Sequence, residues 1–253
     1  YLHFMEPHEP YFAHPLDGTA VAREDDPSPP PESARQFKKL YLQEVRYWDG
    51  LLGALVERIE KLDLADRTMV IITSDHGEEF GEHGGFWHGT TLYEELVRAP
   101  LVMKVPGRHA RAETRPVSLL DIFPSVLSFA GISTPEGLEG VSLLDEGLVP
   151  AGRVLRAEVD CRGCSLRAVR YGRYKLIRSL VEDPRGQPEW QLFDLEADRA
   201  EKNDLAKSNP DTLERMKKLM EGAAPSESDG SGGIDAEKRS DLEKHFHPPE
   251  HTQ

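Results

Sequence analysis

Residues 68–77 read TMVIITSDHG, a short apolar run that ends abruptly in polar residues. Such a run is typical of a strand that is buried on both faces of a parallel sheet. The residues that follow it, from Ser74 to Gly77, would then lie at the carboxyl edge of the sheet, where open α/β sheets bind their ligands. The stretch therefore predicts an α/β fold with a functional site directly after this strand.

The elements around this strand alternate between helix and strand. Between about Ser33 and Leu64, apolar residues recur at spacings of three, four and seven, which predicts one long helix with a buried face. A strand is predicted within residues 1–12, another at Pro100–Val105, and a helix at Leu119–Ala130 that Gly131 closes. We therefore expect a mostly parallel sheet sandwiched by helices.

The sequence changes in character after about Val149. Arg167–Arg178 is predicted to form two strands around Gly172, Trp190–Leu195 another strand, and Asp211–Met220 a short helix. The segment that follows is poor in apolar residues, which is typical of a flexible chain. The sequence thus predicts three parts: an α/β domain at residues 1–149, a small α+β subdomain at 150–221 and a flexible tail at 222–253.

The charge balance excludes some classes of function. The 253 residues include 31 Lys and Arg against 45 Asp and Glu, a net charge of −14. Because nucleic-acid-binding proteins normally carry a basic patch, we predict that the chain binds no nucleic acid. No apolar run reaches the ~18 residues of a membrane span, so none is predicted in this chain. A small anionic substrate remains compatible, because a metal ion and a few cations can reverse the local field in a pocket.

The two cysteines, Cys161 and Cys164, form a single Cys-x-x-Cys pair. The functional interpretations are a redox pair or half of a zinc site, but a zinc site would need a second ligand pair at similar spacing, and none lies nearby. A coincidental spacing or a local disulfide is the interpretation that we favour.

Carboxylates and imidazoles are concentrated directly after the predicted strand. Seven of them lie within fourteen positions: Asp75, His76, Glu78, Glu79, Glu82, His83 and His88. These groups are natural ligands of divalent metal ions. The glycines between them let the backbone turn tightly enough to direct the ligands inward. A metal site is therefore predicted here, with a solvated polar loop as the alternative.

The same segment resembles the sulfatase family of the alkaline phosphatase superfamily. The matching stretches are SDHGEEFGEHG (74–84), HGTTLYEE (88–95) and RAPL (98–101). The resemblance implies an alkaline phosphatase-like fold, in which Asp75 and His76 bind the active-site metal. It also implies that His88 contacts the anionic group of the substrate. It gives no role to His83, for which a structural histidine is the alternative.

The resemblance extends over about residues 1–220. The opening HFMEPHEPY (3–11) is similar to the family's Asp-Pro-His-x-Pro-Tyr element, which implies that His8 donates to the sulfate or to the leaving-group oxygen. Without the resemblance, His8 would be a turn residue between two prolines. The family's structural elements are matched by LLDIFPSVL (119–127), RYKLI (173–177) and LFDLEAD (192–198). Asp121 and Asp194 in these elements are expected to form caps or local ion pairs.

The nucleophile motif of sulfatases is absent from the sequence. That motif is Cys- or Ser-x-Pro-x-Arg, whose first residue becomes formylglycine, and it occurs nowhere in the 253 residues. The resemblance therefore implies that this chain is the C-terminal portion of a sulfatase catalytic domain and that the formylglycine and further metal ligands lie upstream. The isolated chain is accordingly expected to be inactive. The family implies one divalent metal, Ca²⁺, whereas an imidazole at His76 favours Mn²⁺ or Zn²⁺.

The implied function is the metal-dependent hydrolysis of a small anionic sulfate ester, in a protein for which the resemblance suggests a periplasmic or secreted location. Two alternatives stay open. One is a phosphodiesterase, a phosphonate hydrolase or a phosphoethanolamine-type transferase of the same superfamily. The other is a non-catalytic, sulfatase-like binding protein. The elements around residues 173–177 and 192–196 favour the sulfatase.

Overall fold

In the computed structural model, residues 1–144, 149–150 and 152–222 are described. The helices are α1 (Ala34–Lys61), α2 (Glu94–Val97), α3 (Ile122–Phe129) and α4 (Pro210–Glu221). The strands are β1 (Tyr11–Phe12), β2 (Ala20–Val21), β3 (Val70–Thr73), β4 (Glu79–Phe80), β5 (Phe86–Trp87), β6 (Leu101–Lys104), β7 (Val154–Cys161), β8 (Cys164–Tyr171), β9 (Tyr174–Ser179) and β10 (Trp190–Asp194). No helix in these ranges is long and apolar enough to cross a membrane.

Helix α1 is most deeply buried along its first half. An apolar cluster packs there, and its five buried members are Tyr11, Phe37, Leu40, Phe80 and Trp87. Farther along the helix, Leu51 and Leu62 are 46% and 49% exposed. Leu52, Leu55 and Ile59 of the predicted face are half-buried. The predicted face is therefore fully buried only in the first half of α1, where the described strands meet the helix.

The opening segment forms less strand than the sequence predicts. Only Tyr11 and Phe12 are extended in a pair, with β2, and residues 1–5 have no regular structure. The carboxylate of Glu44, which is 1% exposed, accepts a hydrogen bond from the Phe12 amide at 2.6 Å. This buried contact fixes the segment that follows His8 against α1.

The two predicted strands that flank the ligand-rich segment pair with each other, as β3 and β6, but they run antiparallel. All strand pairs among the described residues are antiparallel, so the expected parallel pairing is not found there. A parallel pair needs a crossover, usually helical, that returns the chain to the same end of the sheet. The segment between β3 and β6 instead forms the β4–β5 hairpin and the single helical turn α2, so β6 enters from the opposite end.

The second half of the chain forms a four-stranded antiparallel sheet in the order β10-β9-β8-β7, with strands close to the predicted positions. Helix α4 packs on one face through Met216, which is fully buried. The opposite face packs on Leu92 and Tyr93, which follow the ligand-rich segment. The sheet therefore forms the support on which that segment rests.

The packing joins the first two predicted parts within the described residues. One buried cluster contains Leu92 and Tyr93 from the first part and Leu166, Ile177 and Phe193 from the second. The boundary near residue 149 stays a prediction. The predicted tail lies outside the described residues, except for Gly222.

Asp121 and Asp194 have the local roles that the sequence predicts. Asp121 is fully buried, accepts a hydrogen bond from the Ser118 amide at 2.8 Å and pairs with Arg153 at 2.7 Å. Asp194 accepts a hydrogen bond from Nε of Arg173 at 2.7 Å. Both carboxylates therefore stabilise local structure.

Cys161 and Cys164 lie directly opposite each other at the end of the β7–β8 hairpin. The turn between them uses Arg162 and Gly163 with φ of 51° and 82°, as a tight hairpin between twisted strands requires. Both thiols are free, so no disulfide joins them. The spacing of the two cysteines follows from this two-residue turn.

Candidate active site

The segment after β3 presents Asp75 and His76 side by side. Oδ1 of Asp75 accepts a hydrogen bond from the His76 amide at 3.0 Å, and Nδ1 of His76 lies 2.8 Å from the Gly77 carbonyl. These bonds leave Oδ2 of Asp75 and Nε2 of His76, which are 3.9 Å apart. The Asp75 side chain is 82% exposed and that of His76 is 38% exposed, so both can reach a ligand.

Two further histidine rings, those of His88 and His8, lie next to His76. The ring centroid of His88 lies 4.4 Å from that of His76 and 4.9 Å from that of His8. Nδ1 of His8 lies 2.7 Å from the Glu9 carbonyl, which directs Nε2 of His8 to the other side of the ring. The structure thus brings together all four residues to which the sequence gives a site role, although His8 is 80 positions from His88. His3, in contrast, is exposed and contacts Tyr1.

Glu78 anchors the central histidine. Its carboxylate oxygens lie 3.1 and 3.3 Å from Nδ1 of His88, and its side chain is only 5% exposed. A carboxylate at Nδ1 fixes the tautomer of an imidazole and leaves Nε2 for the substrate side. The sequence shows Glu78 only as one of several carboxylates in the segment, and no spacing rule distinguishes it from Glu79 or Glu82.

Tyr11 completes the support of Glu78. Its hydroxyl donates to Oε2 of Glu78 at 2.5 Å, and the tyrosine is fully buried. Burial, reinforced by the negative charge of Glu78, raises the pKa of Tyr11 above its ordinary value. The hydroxyl therefore stays protonated and acts as a donor. This hydrogen bond ties β1, which carries Tyr11, to Glu78 and thereby to His88.

Arg23 is a buried cation next to the histidines. It is 7% exposed, its Nη2 donates to the His88 carbonyl at 3.1 Å, and its Nε lies 3.4 Å from Oε1 of Glu9. Its guanidinium also lies over the Trp87 ring, 5.8 Å from the centroid. Arg23 therefore links the segment of His8 to that of His88. No sequence pattern marks Arg23 as a site residue, because it directly precedes an acidic, proline-rich loop.

A buried ion pair holds both ends of the segment that carries His88. Glu79 is fully buried, and its oxygens lie 3.0 and 3.2 Å from Nη1 of Arg185. The same guanidinium donates through Nη2 to the Thr90 carbonyl at 3.1 Å. Arg185 belongs to the connection between β9 and β10, so the C-terminal sheet positions this segment directly. A pairing over more than a hundred residues leaves no sequence pattern.

His83 is engaged away from the other histidines. Its Nδ1 lies 2.5 Å from Oε1 of Glu95, its Nε2 lies 3.1 Å from the Glu201 carbonyl, and its ring stacks on Tyr93 at 3.6 Å. Burial alone would lower the pKa of His83, but the hydrogen bond and the charge of Glu95 outweigh it and raise the pKa. Both ring nitrogens have partners, and this favours a structural role.

Two groups of side chains among the described residues are close enough to share one metal ion. They are His8, Glu9 and His88, and Glu79, His83 and Glu95, with possible ligand atoms within 4.8 Å of one another. The second group is already bonded internally and to Arg185. Asp75 and His76 belong to neither group, so on their own they provide two ligands.

Asp75, His76 and His88 face a cleft of about 1640 Å³. β6 and the residues after it line this cleft, and so do β7 and β8. Its volume exceeds the roughly 300–1,000 Å³ of sites for drug-sized ligands. The arrangement therefore offers two candidate metal ligands and an anchored imidazole at the surface of a wide cleft.

The chain is similar to known sulfatases. A family model described as Sulfatase matches residues 1–132. Arylsulfatase K of Mus musculus is 36% identical over 176 residues, which are 64% of this chain and 31% of that protein. Choline-sulfatase of Rhizobium meliloti is 32% identical over 183 residues, which are 70% of this chain and 34% of that protein. The chain thus spans about a third of the length of these curated relatives.

One solved structure, of a protein in complex with its substrate D-glucosamine-2-N,6-O-disulfate, aligns with a TM-score of 0.62 at 26% identity. The alignment covers 75% of this chain and 40% of that one. The likeness confirms the predicted α/β, alkaline phosphatase-like fold class. The antiparallel strand pairs described above lie in the part of that fold that this chain covers.

Proposed function

The chain belongs to the sulfatase family, since the family model covers residues 1–132 of 253, and on this premise we propose that it supplies part of the active site of a sulfuric ester hydrolase. The main support is the convergence of His8, His76 and His88 beside Asp75. Anchored imidazoles next to a carboxylate suit the binding of a metal ion and of a sulfate ester.

Sulfatases generally use a metal ion and a formylglycine. Because the sequence contains no Cys- or Ser-x-Pro-x-Arg motif, we assign to this chain only metal-binding and substrate-binding groups. A bound cation would neutralise negative charge on the oxygens of the ester.

Asp75 and His76 fit such a cation in donor type and in spacing. Oδ2 of Asp75 and Nε2 of His76 are 3.9 Å apart, and metal–ligand bonds of about 2.0–2.6 Å allow one ion to reach both. The carboxylate suits Ca²⁺, whereas the imidazole favours Mn²⁺ or Zn²⁺. We propose these two residues as ligands of one divalent metal.

His88 and His8 are assigned to the ester itself. Glu78 holds Nδ1 of His88, so Nε2 is the atom that can donate to a sulfate oxygen. His8 is held at Nδ1 by the Glu9 carbonyl, and its Nε2 can carry a proton to the leaving-group oxygen. Glu78 and Arg23 position these imidazoles and do not contact the substrate in this assignment.

We propose a sulfate ester as the substrate. Two kinds of ester occur in the names of the similar proteins: one relative is a choline-sulfatase, and the solved complex holds a disulfated glucosamine. The histidines and Asp75 would act on the sulfate group, which both kinds of ester share. The cleft next to them must therefore select the rest of the substrate.

Elemental analysis of the purified full-length protein tests the metal assignment. We expect Asp75→Ala and His76→Ala to lower the affinity for the metal by at least about tenfold. Asp66→Ala serves as the matched control, because Asp66 is an exposed aspartate in a short helical turn. Metal content that is the same in Asp75→Ala as in Asp66→Ala would refute the assignment of Asp75.

A further inference from the structure

The hairpin between β7 and β8 carries the only two cysteines of the 253-residue chain. Cys161 ends β7, Cys164 begins β8, and the pairing register places the two residues directly opposite each other. Residues opposite each other in an antiparallel pair have Cα atoms about 4.5–5.5 Å apart. A disulfide needs Cα atoms about 4.4–6.8 Å apart, so the backbone of this hairpin brings the two thiols within reach of one bond.

The turn between the two strands fixes this arrangement. Both turn residues, Arg162 and Gly163, have a positive φ, of 51° and 82°. Such a turn follows the twist of the strands that it joins, and its length fixes their register. Because directly opposite side chains project from the same face of a strand pair, the register keeps both thiols on one face.

The two thiols differ in their access to solvent. Cys161 is exposed, whereas Cys164 is buried, with 4% of its surface exposed. Burial, reinforced by the charge of Asp183, raises the pKa of the Cys164 thiol above its ordinary value, although Arg185 opposes this shift. The thiolate is the nucleophile in thiol–disulfide exchange, and the reaction requires access to the attacked sulfur. Cys161 is therefore the thiol that meets a dissolved disulfide first, and Cys164 is placed to attack second.

A metal site is the alternative use of such a pair. Two thiolates provide two ligands, whereas a structural zinc site almost always has four. Within residues 1–144, 149–150 and 152–222, neither cysteine belongs to a group of three or more histidine, cysteine, aspartate and glutamate side chains that could share one ion. The described part of the chain thus gives the pair no third ligand at that distance, which favours exchange chemistry over metal binding.

Cys161 borders the segment that carries His88. A Cβ added at Gly89 would lie 3.9 Å from Sγ of Cys161, which is an ordinary van der Waals contact. Gly89 directly follows His88 in the chain. A disulfide would bring Sγ of Cys161 to about 2 Å from that of Cys164. Oxidation of the pair would therefore alter the contact between Cys161 and Gly89.

We propose that Cys161 and Cys164 form a thiol–disulfide exchange site for small disulfides, and that its oxidation alters the segment of His88. The Cys161 thiolate attacks one sulfur of the small disulfide, which forms a mixed disulfide and releases one thiolate. The Cys164 thiol then loses its proton and attacks Sγ of Cys161, which releases the second thiolate and leaves an intramolecular disulfide. The chain loses two electrons and two protons, and the small disulfide is reduced to two thiols. This chemistry is independent of the proposed sulfatase function.

The aromatic disulfide dithiobis(nitrobenzoic acid) serves as the probe, because each exchange step releases a coloured thiolate. The folded 253-residue chain should release two thiolates and retain no nitrobenzoate group, which mass spectrometry detects as the loss of two hydrogens. Cys164→Ser should release one thiolate and retain one nitrobenzoate group at Cys161. Cys161→Ser should react at least about tenfold more slowly than Cys164→Ser, because Cys164 is buried.

The variant Cys164→Ser/Ser165→Cys is the matched control. It keeps two cysteines at the end of the hairpin, but a shift by one position turns the second side chain to the other face of the strand pair. This variant should retain two nitrobenzoate groups, and circular dichroism checks that it keeps its fold. The proposal is overturned if the unchanged chain also retains two groups, or if the control forms an internal disulfide as readily. It is likewise overturned if Cys161→Ser reacts as fast as Cys164→Ser.

Nuclear magnetic resonance of the isotope-labelled chain tests the contact with the segment of His88. On oxidation, the amide resonance of Gly89 should shift, because Sγ of Cys161 moves relative to it. The amide of Gly50 in α1 serves as the internal reference and should not shift. An internal disulfide that forms while the Gly89 resonance stays unchanged would refute the effect on this segment.

Discussion

Replacing Arg185 with methionine removes the guanidinium that pairs with Glu79 and leaves a side chain of similar length. The Glu79 carboxylate is fully buried, and Arg185 contributes both the ion pair at 3.0 Å and the hydrogen bond to the Thr90 carbonyl at 3.1 Å. Removing one partner of a buried ion pair costs roughly 3–5 kcal/mol, because the other charge stays buried.

Two features of this pair reduce the expected cost. Glu79 keeps hydrogen bonds from the amides of His83 at 3.1 Å and Gly85 at 3.0 Å. The Arg185 side chain is 21% exposed, so water can replace part of the guanidinium. We therefore expect Arg185→Met to lower the free energy of unfolding by about 2–3 kcal/mol.

Urea unfolding followed by circular dichroism measures this change, provided that the slope with denaturant is the same for both proteins. Arg178→Met is the control, because Arg178 pairs with Glu189 at the surface, where such pairs contribute up to about 1 kcal/mol. The double variant Arg185→Met/Glu79→Gln should be less destabilised than the sum of the single variants. Equal losses for Arg185→Met and Arg178→Met would refute the importance of the buried pair.

Three other predictions concern stability and activity. The first concerns His83, whose pKa is raised by its pair with Glu95. The pair should stabilise the fold fully below the unfolded pKa of about 6.5, and this contribution should be lost as pH rises through the folded pKa. Urea midpoints across this range should show the loss, and a His83→Gln variant with the same pH dependence would contradict it. The second compares two glycines. Gly85→Ala should destabilise the fold by about 1–3 kcal/mol, because the added Cβ would lie 2.2 Å from Nη1 of Arg185. Gly50→Ala in α1, where an added Cβ would meet nothing within 4 Å, should stabilise the fold by about 0.5–1 kcal/mol. Thermal unfolding compares the two variants, and a stabilised Gly85→Ala would disprove the close approach. The purified 253-residue chain should hydrolyse no 4-nitrocatechol sulfate, because it has no nucleophile motif, and measurable turnover by the pure chain would be inconsistent with that expectation.

The local elements follow closely from the sequence. The apolar run at residues 68–73 and the periodic segment at 33–64 appear as β3 and as α1, with ends shifted by at most three residues. Asp75 and His76 could be placed together because they are adjacent in a segment that must end a strand. The family match over residues 1–132 agrees with the resemblance that this segment carries.

Pairing between distant segments did not follow from the sequence. Apolar runs indicate that a strand is buried but not the direction of its neighbour, so the antiparallel pairing of β3 with β6 was missed. The role of Glu78 was missed for a related reason. Glu78, Glu79 and Glu82 have the same local chemistry, and only the positions of Tyr11 and Arg185 in the fold separate the anchor of His88 from the buried ion-pair partner.

The sequence by itself determined the α/β class, the family and the residue types at the site, because local periodicity and short motifs are set by neighbouring residues. The tertiary structure decided which charges meet. Arg185 and Arg170 lie about a hundred residues downstream of the segment after β3, and only packing of the C-terminal sheet brings one to Glu79 and the other to the cleft. The free energy of a buried or focused charge depends on such neighbours in space, and these are fixed only when the core packs.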